Sequence, residues 1–181
     1  MMYQTHTSRF FSFILIATLM LLSQVSIAAE NTYKLGTGDR IKITVYGEKD
    51  LTMETTLNDD GVINYPFLGE IAVEGMTVKQ LENKIYKNLK GDYLVNPNVH
   101  VSIETYRPFF INGQVKKPGG YPYQPGLTLR RAISLAGGYT ERASKKNTFI
   151  VHQNKPETRI RARQSMRIQP GDTITVEESF F

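Results

Sequence analysis

Alternating apolar and polar positions mark several short strands along the chain. The alternation is clearest at residues 41–45, 62–73 and 99–103. Successive side chains of a strand point to opposite faces, so this pattern predicts strands with one buried and one wet face. Pro66 divides the second stretch into two strands, because proline lacks the N–H group that a sheet needs.

Two further stretches carry apolar residues at helical spacing, and a threonine begins each. The first apolar set is Val78, Leu81, Ile85 and Leu89. Thr77 and Gln80 form a capping box at its start, in which each side chain satisfies the backbone N–H of the other residue. The second apolar set is Leu129, Ala132, Ile133 and Ala136. We expect the Thr128 hydroxyl to cap this helix and Gly137-Gly138 to end it.

Two short phrases occur once in each half of the chain. Gly38-Asp39-Arg40-Ile41 is echoed by Gly171-Asp172-Thr173-Ile174, and Gly75-Met76-Thr77 is echoed by Gly126-Leu127-Thr128. Common cap chemistry is enough to produce the second echo. The first echo predicts that the strand at 174–176 belongs to the same architecture and returns to the core, which would hold the C-terminus in place.

These elements predict an α+β fold of two small domains, each mixing sheet and helix. We place the domains at residues 30–105 and 106–181, the second with the C-terminal return strand. Residues 1–29 are predicted to be a signal peptide, with an apolar run at 10–22 and small residues at 26–29. We expect cleavage after Ala28 or Ala29. An uncleaved anchor is the alternative, but the run is short for a membrane span.

Composition narrows the range of functions. The chain of 181 residues contains no cysteine, which excludes disulfides, thiolate metal sites and a cysteine nucleophile. Its net charge is +5, or about +4 once Arg9 leaves with the signal peptide, and this mild excess does not require a nucleic-acid partner. The carboxylates of Asp59 and Asp60 lie in a hairpin-type Asn-Asp-Asp-Gly turn without a third ligand nearby. Turn chemistry explains them, and we predict no metal or cofactor.

Catalytic constellations are also missing from the sequence. His100 and His152 have no partner set near them along the chain, and no G-x-S-x-G motif surrounds a serine. We therefore predict that the protein is not an enzyme. One enzymatic reading stays open, because two carboxylates far apart in the sequence could meet in space as in a glycosidase.

An arginine stripe is the candidate contact site. Arg159, Arg161 and Arg163 stand two residues apart. A strand would therefore hold all three guanidinium groups on one face, with the apolar residues between them on the other. Three explanations remain open: an edge kept soluble by its charge, a contact with a neighbouring subunit, and a contact with an acidic polymer.

The second half of the chain contains an ordered set of positions: Gly113, Val115, Pro118-Gly119, Tyr121, Gly126-Leu127-Thr128-Leu129, Ala132-Ile133, Ala136-Gly137-Gly138, Thr140 and Ala143. In this order they resemble the SLBB (β-grasp-like) domain of the outer-membrane polysaccharide export family, the Wza-like proteins. The first half is similar to the polysaccharide export (poly_export) domain of the same family. Its matching positions are Tyr33, Leu35, Gly38-Asp39, Ile41, Val45, Asp60-Gly61, Pro66, Leu68-Gly69, Ile71, Gly75, Thr77, Leu81, Pro97, Val99 and Val101.

The resemblance implies a non-enzymatic part of a capsule, exopolysaccharide or biofilm export machine, with rings of subunits around a channel for the polysaccharide. The chain resembles a short member of the family. Ala28-Ala29-Glu30 stands where many members have a lipobox cysteine, and the chain ends at Phe181 without the family's C-terminal pore helix. We therefore expect a periplasmic protein that is associated with the outer membrane and is not a lipoprotein.

The resemblance also implies partners. They are further copies of the chain, a separate outer-membrane β-barrel, an inner-membrane polysaccharide co-polymerase and the polysaccharide itself. A function from another class stays open, namely a monomeric periplasmic glycan-binding module of the cell envelope. The two functions differ in oligomeric state, which gel filtration with light scattering measures.

Overall fold

The computed structural model describes residues 33–179, so the predicted signal peptide and cleavage site lie outside the described residues. Strands and helices combine in an α+β arrangement, as the sequence predicted. The strands are β1 Arg40–Val45, β2 Met53–Thr56, β3 Val62–Tyr65, β4 Gly69–Ala72, β5 Val99–Thr105, β6 Phe109–Gly113, β7 Gly119–Tyr121, β8 Ala143–His152, β9 Lys155–Arg161 and β10 Thr173–Glu178. The helices are α1 Val78–Leu89, α2 Leu129–Leu135 and a 3-10 turn at Lys49–Leu51. None of the helices in this part of the chain is long and apolar enough to cross a membrane.

Antiparallel strands build the first part of the fold. β1 pairs with β2 on one side and with β5 on the other, while β3 and β4 form a separate hairpin. Inward residues of these strands and of α1 form one hydrophobic cluster, in which Ile41, Ile43 and Val101 are almost fully buried. The strands predicted at 41–45, 62–73 and 99–103 are confirmed, including the break at Pro66.

The turn at 58–61 is held by its own polar groups, as predicted. The Gly61 N–H donates to the Asn58 carbonyl at 3.0 Å, and the Val62 N–H donates to Asp60 Oδ1 at 3.0 Å. The expectation of a hairpin at this turn was wrong, because β2 pairs with β1 and β3 pairs with β4. The turn therefore carries the chain from one sheet to another.

Helix α1 begins with the predicted capping box. The Gln80 N–H donates to Thr77 Oγ1 at 3.2 Å, and the Thr77 N–H donates to Gln80 Oε1 at 2.9 Å. Leu81, Ile85 and Leu89 are all 0% exposed and pack into the first hydrophobic cluster. The predicted helix, its cap and its buried face are confirmed.

The C-terminal strand lies in the middle of the second sheet. The strand order is β7-β6-β10-β8-β9, with β10 parallel to β6 and antiparallel to β8. Ile174 and Val176 are 0% and 1% exposed in the second hydrophobic cluster, which confirms the predicted return of this strand. Glycine is required at Gly113, where φ is +83° and a Cβ would lie 2.1 Å from the Val176 carbonyl oxygen.

The two hydrophobic clusters divide the chain between them. The first draws on residues 33–103 and the second on residues 109–176. Contacts nevertheless join residues 33–179 into one compact unit. The boundary between two domains at residues 105 and 106 therefore stays a prediction.

Helix α2 buries its apolar stripe but lacks the predicted cap. The buried residues of the helix are Leu129, Ala132 and Ile133. Thr128 occupies the N-cap position, but its side chain accepts no hydrogen bond from the helix. The Leu129 and Arg130 N–H groups donate instead to the carbonyls of Met166 and Gln164, at 2.9 and 3.1 Å. The predicted hydroxyl cap was wrong because a neighbouring segment already satisfies these donors.

Replacing each threonine by alanine tests this difference between two similar helix starts. Thr77→Ala removes a formed capping box, so the free energy of unfolding should fall by about 1 kcal/mol. Thr128→Ala removes no cap bond and should cost clearly less. Urea unfolding followed by far-UV circular dichroism measures both losses, and equal losses would show that Thr128 caps α2 in solution.

Candidate functional site

Two Gly-Asp turns in this protein fold in the same way. Asp39 Oδ2 accepts from the Gly36 N–H at 2.9 Å, and Asp172 Oδ2 accepts from the Gln169 N–H at 2.8 Å. Each aspartate thus bonds the backbone three residues before it, just ahead of β1 in one case and β10 in the other. The two carboxylates are 0% and 1% exposed. The repeated phrase in the sequence is therefore a repeated structure.

Arg107 joins the two turns from the link between β5 and β6. Its backbone N–H donates to Asp39 Oδ1 at 2.9 Å, and Nη1 donates to Asp39 Oδ2 at 3.2 Å. Its Nε donates to the carbonyl of Pro170, in the second turn, at 3.3 Å. We name Arg107, Asp39 and Pro170 the arginine clamp. A planar guanidinium group with several donors suits this position, because it can bond two acceptors at once.

Tyrosine rings surround the clamp. The Tyr33 hydroxyl lies 2.7 and 2.6 Å from the two carboxylate oxygens of Asp39. Burial, together with this hydrogen bond, raises the pKa of Tyr33 above its ordinary value. Tyr33, Tyr106 and Tyr123 follow one another edge to face, with ring centroids 5.1 and 5.4 Å apart. The Tyr33 ring centroid also lies 5.6 Å from the Arg107 guanidinium carbon, so Tyr33 contacts both members of the ion pair.

His152 has a partner that the sequence did not indicate. Its Nδ1 lies 2.7 Å from Asp172 Oδ1, although the two residues stand 20 apart in the sequence. His100 similarly lies 3.1 Å from Glu82. Burial raises the pKa of Asp172 above its ordinary value, against the opposing effect of its hydrogen bonds. Neither partner stands near its histidine along the chain, as the sequence indicated, and the fold brings each pair together from 20 and 18 residues apart.

The arginine clamp holds the two Gly-Asp turns together. The carboxylates of Asp39 and Asp172 are buried and already accept hydrogen bonds from several donors. Among residues 33–179, no group of three or more histidine, aspartate or glutamate side chains could hold a metal ion. The role of Arg107 was not predicted from the sequence, because an ion pair between distant residues leaves no spacing pattern. The repeated Gly-Asp phrase was the signal that could have located the two turns.

The predicted arginine stripe is brought together in part. Arg159 and Arg161 lie in β9, an edge strand, with their guanidinium carbons 3.7 and 5.7 Å from the centroid of the Phe149 ring. Arg159 also forms an ion pair with Glu177. Arg163 is exposed but lies beyond the end of β9, where its carbonyl accepts from a turn N–H. Whether these arginines contact a subunit or a polymer stays a prediction.

Comparison with known families identifies two matched regions in the chain. Residues 27–104 match the family described as polysaccharide biosynthesis/export protein, and residues 108–168 match the SLBB domain. The chain belongs to the outer-membrane polysaccharide export family. The arginine clamp of this export-family chain thus begins inside one matched region, at Asp39, and passes through the short segment between the two regions, at Arg107.

Curated relatives of this export-family chain are longer than it is. The exopolysaccharide production protein ExoF of Rhizobium meliloti (strain 1021) is 29% identical over 128 residues, in an alignment that covers 64% of this chain and 30% of ExoF. The EPS I polysaccharide export outer membrane protein EpsA of Ralstonia solanacearum is 25% identical over 62% of this chain and 36% of EpsA. The polysialic acid transport protein KpsD of Escherichia coli is 24% identical over 85% of this chain and 30% of KpsD. The matched region thus spans about a third of these relatives.

A double-mutant cycle tests the clamp. Arg107→Met leaves the buried carboxylate of Asp39 without its cation, and the free energy of unfolding should fall by about 3–5 kcal/mol. Adding Asp39→Asn to that variant removes the uncompensated charge and should recover part of the loss. Arg131→Met, at an exposed position of α2, is the matched control and should change stability by less than about 0.5 kcal/mol. Strictly additive losses at Arg107 and Asp39 would mean that the two residues do not act as a pair.

Proposed function

We propose that this protein is a non-enzymatic component of a machine that exports capsule polysaccharide or exopolysaccharide. One observation carries the proposal: a polysaccharide export region and an SLBB domain follow each other over residues 27–104 and 108–168. Relatives of the chain include a production protein, an outer-membrane export protein and a polysialic acid transport protein. The family serves export. A non-enzymatic role fits this chain because the buried carboxylates of Asp39 and Asp172 hold the fold together.

The proposed location of the protein is the periplasm, in association with the outer membrane. The relative EpsA is described as an outer membrane protein. The signal-like sequence at residues 1–29 supports secretion with cleavage, and Ala28-Ala29-Glu30 offers no cysteine for a lipid. The protein would then meet a separate outer-membrane β-barrel above it and an inner-membrane polysaccharide co-polymerase below it.

The proposed assembly is a ring of copies of this chain that forms or completes the channel. β9 is a free edge of the second sheet within the described residues, and an edge strand offers unpaired backbone donors and acceptors. Arg159, Arg161 and Arg163 lie on or next to this edge. We infer that they make contact with a neighbouring subunit or with the polymer, since guanidinium groups pair well with carboxylates.

Deleting the gene in the producing strain tests the export role. We expect surface polysaccharide to disappear while polymer synthesis inside the cell continues. Polysaccharide-specific staining of intact and of permeabilised cells measures the two pools separately, and the gene restored on a plasmid is the control. Normal surface polymer in a deletion strain without a second copy of the gene would remove the export role.

A triple substitution tests the edge. Changing Arg159, Arg161 and Arg163 to glutamine should abolish the ring while the fold persists, if the arginines contact a neighbouring subunit. Light scattering after gel filtration gives the mass, and circular dichroism checks the fold. The matched control changes Arg130 and Arg131, which are exposed on α2, to glutamine. A wild-type protein that stays monomeric at high concentration would contradict the ring and favour a glycan-binding module.

A further inference from the structure

The second sheet has one face that no described element covers. Helix α2 and the second hydrophobic cluster occupy the other face, where Ile111, Ile150 and Ile174 are all 0% exposed. Strand register places the remaining side chains of four strands together on the uncovered side. We name these residues the outer face: Phe110, Asn112, Phe149, Val151, Arg159, Arg161, Thr173 and Thr175. All of them are exposed or half-buried.

An aromatic ring lies at one side of the outer face. Phe110 pairs with Gly120 of the edge strand β7. A Cβ on Gly120 would lie 3.1 and 3.3 Å from two carbons of the Phe110 ring, so the ring packs directly over the glycine backbone. Phe110 is nevertheless 44% exposed. One side of the ring is therefore supported by the hairpin, and the ring remains accessible for stacking.

Guanidinium groups lie at the other side of the outer face. Arg159 is stacked on Phe149 and paired with Glu177, so its side chain runs along the sheet. Arg161 lies 5.7 Å from the same ring, with Nη2 3.5 Å from Asn147 Oδ1, and it pairs with no carboxylate among residues 33–179. Glu157 lies on the same side of β9, two residues before Arg159 and four before Arg161. Arg161 thus presents oriented donors to a negatively charged group.

The middle of the outer face is mixed, because Thr173 and Thr175 of β10 lie beside Val151 and Phe149 of β8. Asn112, Thr175 and Phe149 are neighbours across β6, β10 and β8, and Arg161 follows on β9. Three interstrand spacings separate β6 from β9, a width of about 14 Å. Short polar side chains therefore alternate with an aromatic ring and an aliphatic side chain across the two central strands. Such a mixture suits a sugar, which carries both hydroxyl groups and apolar C–H faces.

We propose that the outer face binds acidic polysaccharide. A sugar ring lies on Phe110, sugar hydroxyls bond to Asn112 and Thr175, and a sugar carboxylate pairs with Arg161. This proposal rests on the export function proposed above and names the part of the chain that touches the polymer. Contact of this face with a second copy of the chain is the competing outcome. In that case a partner's carboxylates would pair with Arg161, and protein groups instead of sugar hydroxyls would bond to Asn112 and Thr175.

Photo-crosslinking in the producing strain tests the proposal with the full chain. Phe110→p-benzoylphenylalanine places a photoreactive ring on the outer face, and Asn112→p-benzoylphenylalanine is a second position in case the first variant fails to fold. Leu135→p-benzoylphenylalanine is the matched control, because Leu135 is 52% exposed on helix α2. After illumination we expect a heterogeneous high-mass adduct from the two outer-face positions that periodate oxidation of sugars shortens. The control position should give none.

Each other result overturns the proposal. A discrete protein adduct, whether of twice the chain mass or larger, would make the outer face a protein interface. No adduct at either position, in a protein that is folded and exported, would mean that the polymer does not touch this face. Changing Arg159 and Arg161 to glutamine should lower the adduct yield about tenfold, as loss of charge-assisted bonds predicts. An unchanged yield would exclude the arginines from binding.

The deletion strain separates failure of this inference from failure of the export function. If surface polysaccharide persists without the gene, the export function itself fails. If deletion removes surface polysaccharide but Phe110→Ala and Arg161→Gln export normally and leave the adduct from position 112 unchanged, only the outer-face proposal fails.

Discussion

The arrangement of the two sheets depends on the ion pair between Arg107 and Asp39. A carboxylate that is 0% exposed is unfavourable unless donors surround it. Here the donors come from the N-terminal segment at Tyr33, from the turn at Gly36 and from Arg107. Because the same guanidinium group also donates to Pro170, β1 and β10 begin from one shared point. The two sheets are therefore positioned by polar contacts that are largely buried.

The same point positions the outer face of the second sheet. The Gly171 N–H donates to the Pro108 carbonyl at 3.1 Å, and the Phe110 N–H donates to the Asp172 carbonyl at 2.8 Å. The second Gly-Asp turn thus sets where β10 begins beside β6. Phe110, Thr173 and Arg159 then lie in one row, because the register across four strands follows from that start. A site on this sheet inherits its geometry from the clamp.

Local patterns predicted β1, β3, β4, β5, β10 and both helices with their buried faces, because periodicity reports which side of an element is dry. They did not indicate β2 or β8, the longest strand of the described residues. They failed where a distant segment supplied the partner. Thr77 and Thr128 occur in similar phrases, yet only Thr77 caps a helix, since the backbone near Gln164 and Met166 satisfies the start of α2. Arg107 was missed for the same reason. The arginines at 159 and 161 were found by spacing, but their stacking on Phe149 depends on strand register, which no local pattern contains.

The central place of β10 has a mechanical meaning. This strand has β6 on one side and β8 on the other, so a pull along its axis loads two rows of hydrogen bonds together. Such a strand must slide past both neighbours at once, whereas a strand at a sheet edge can peel away bond by bond. β10 is therefore held more firmly than the edge strands β7 and β9, and a load applied along it would spread to both neighbouring strands.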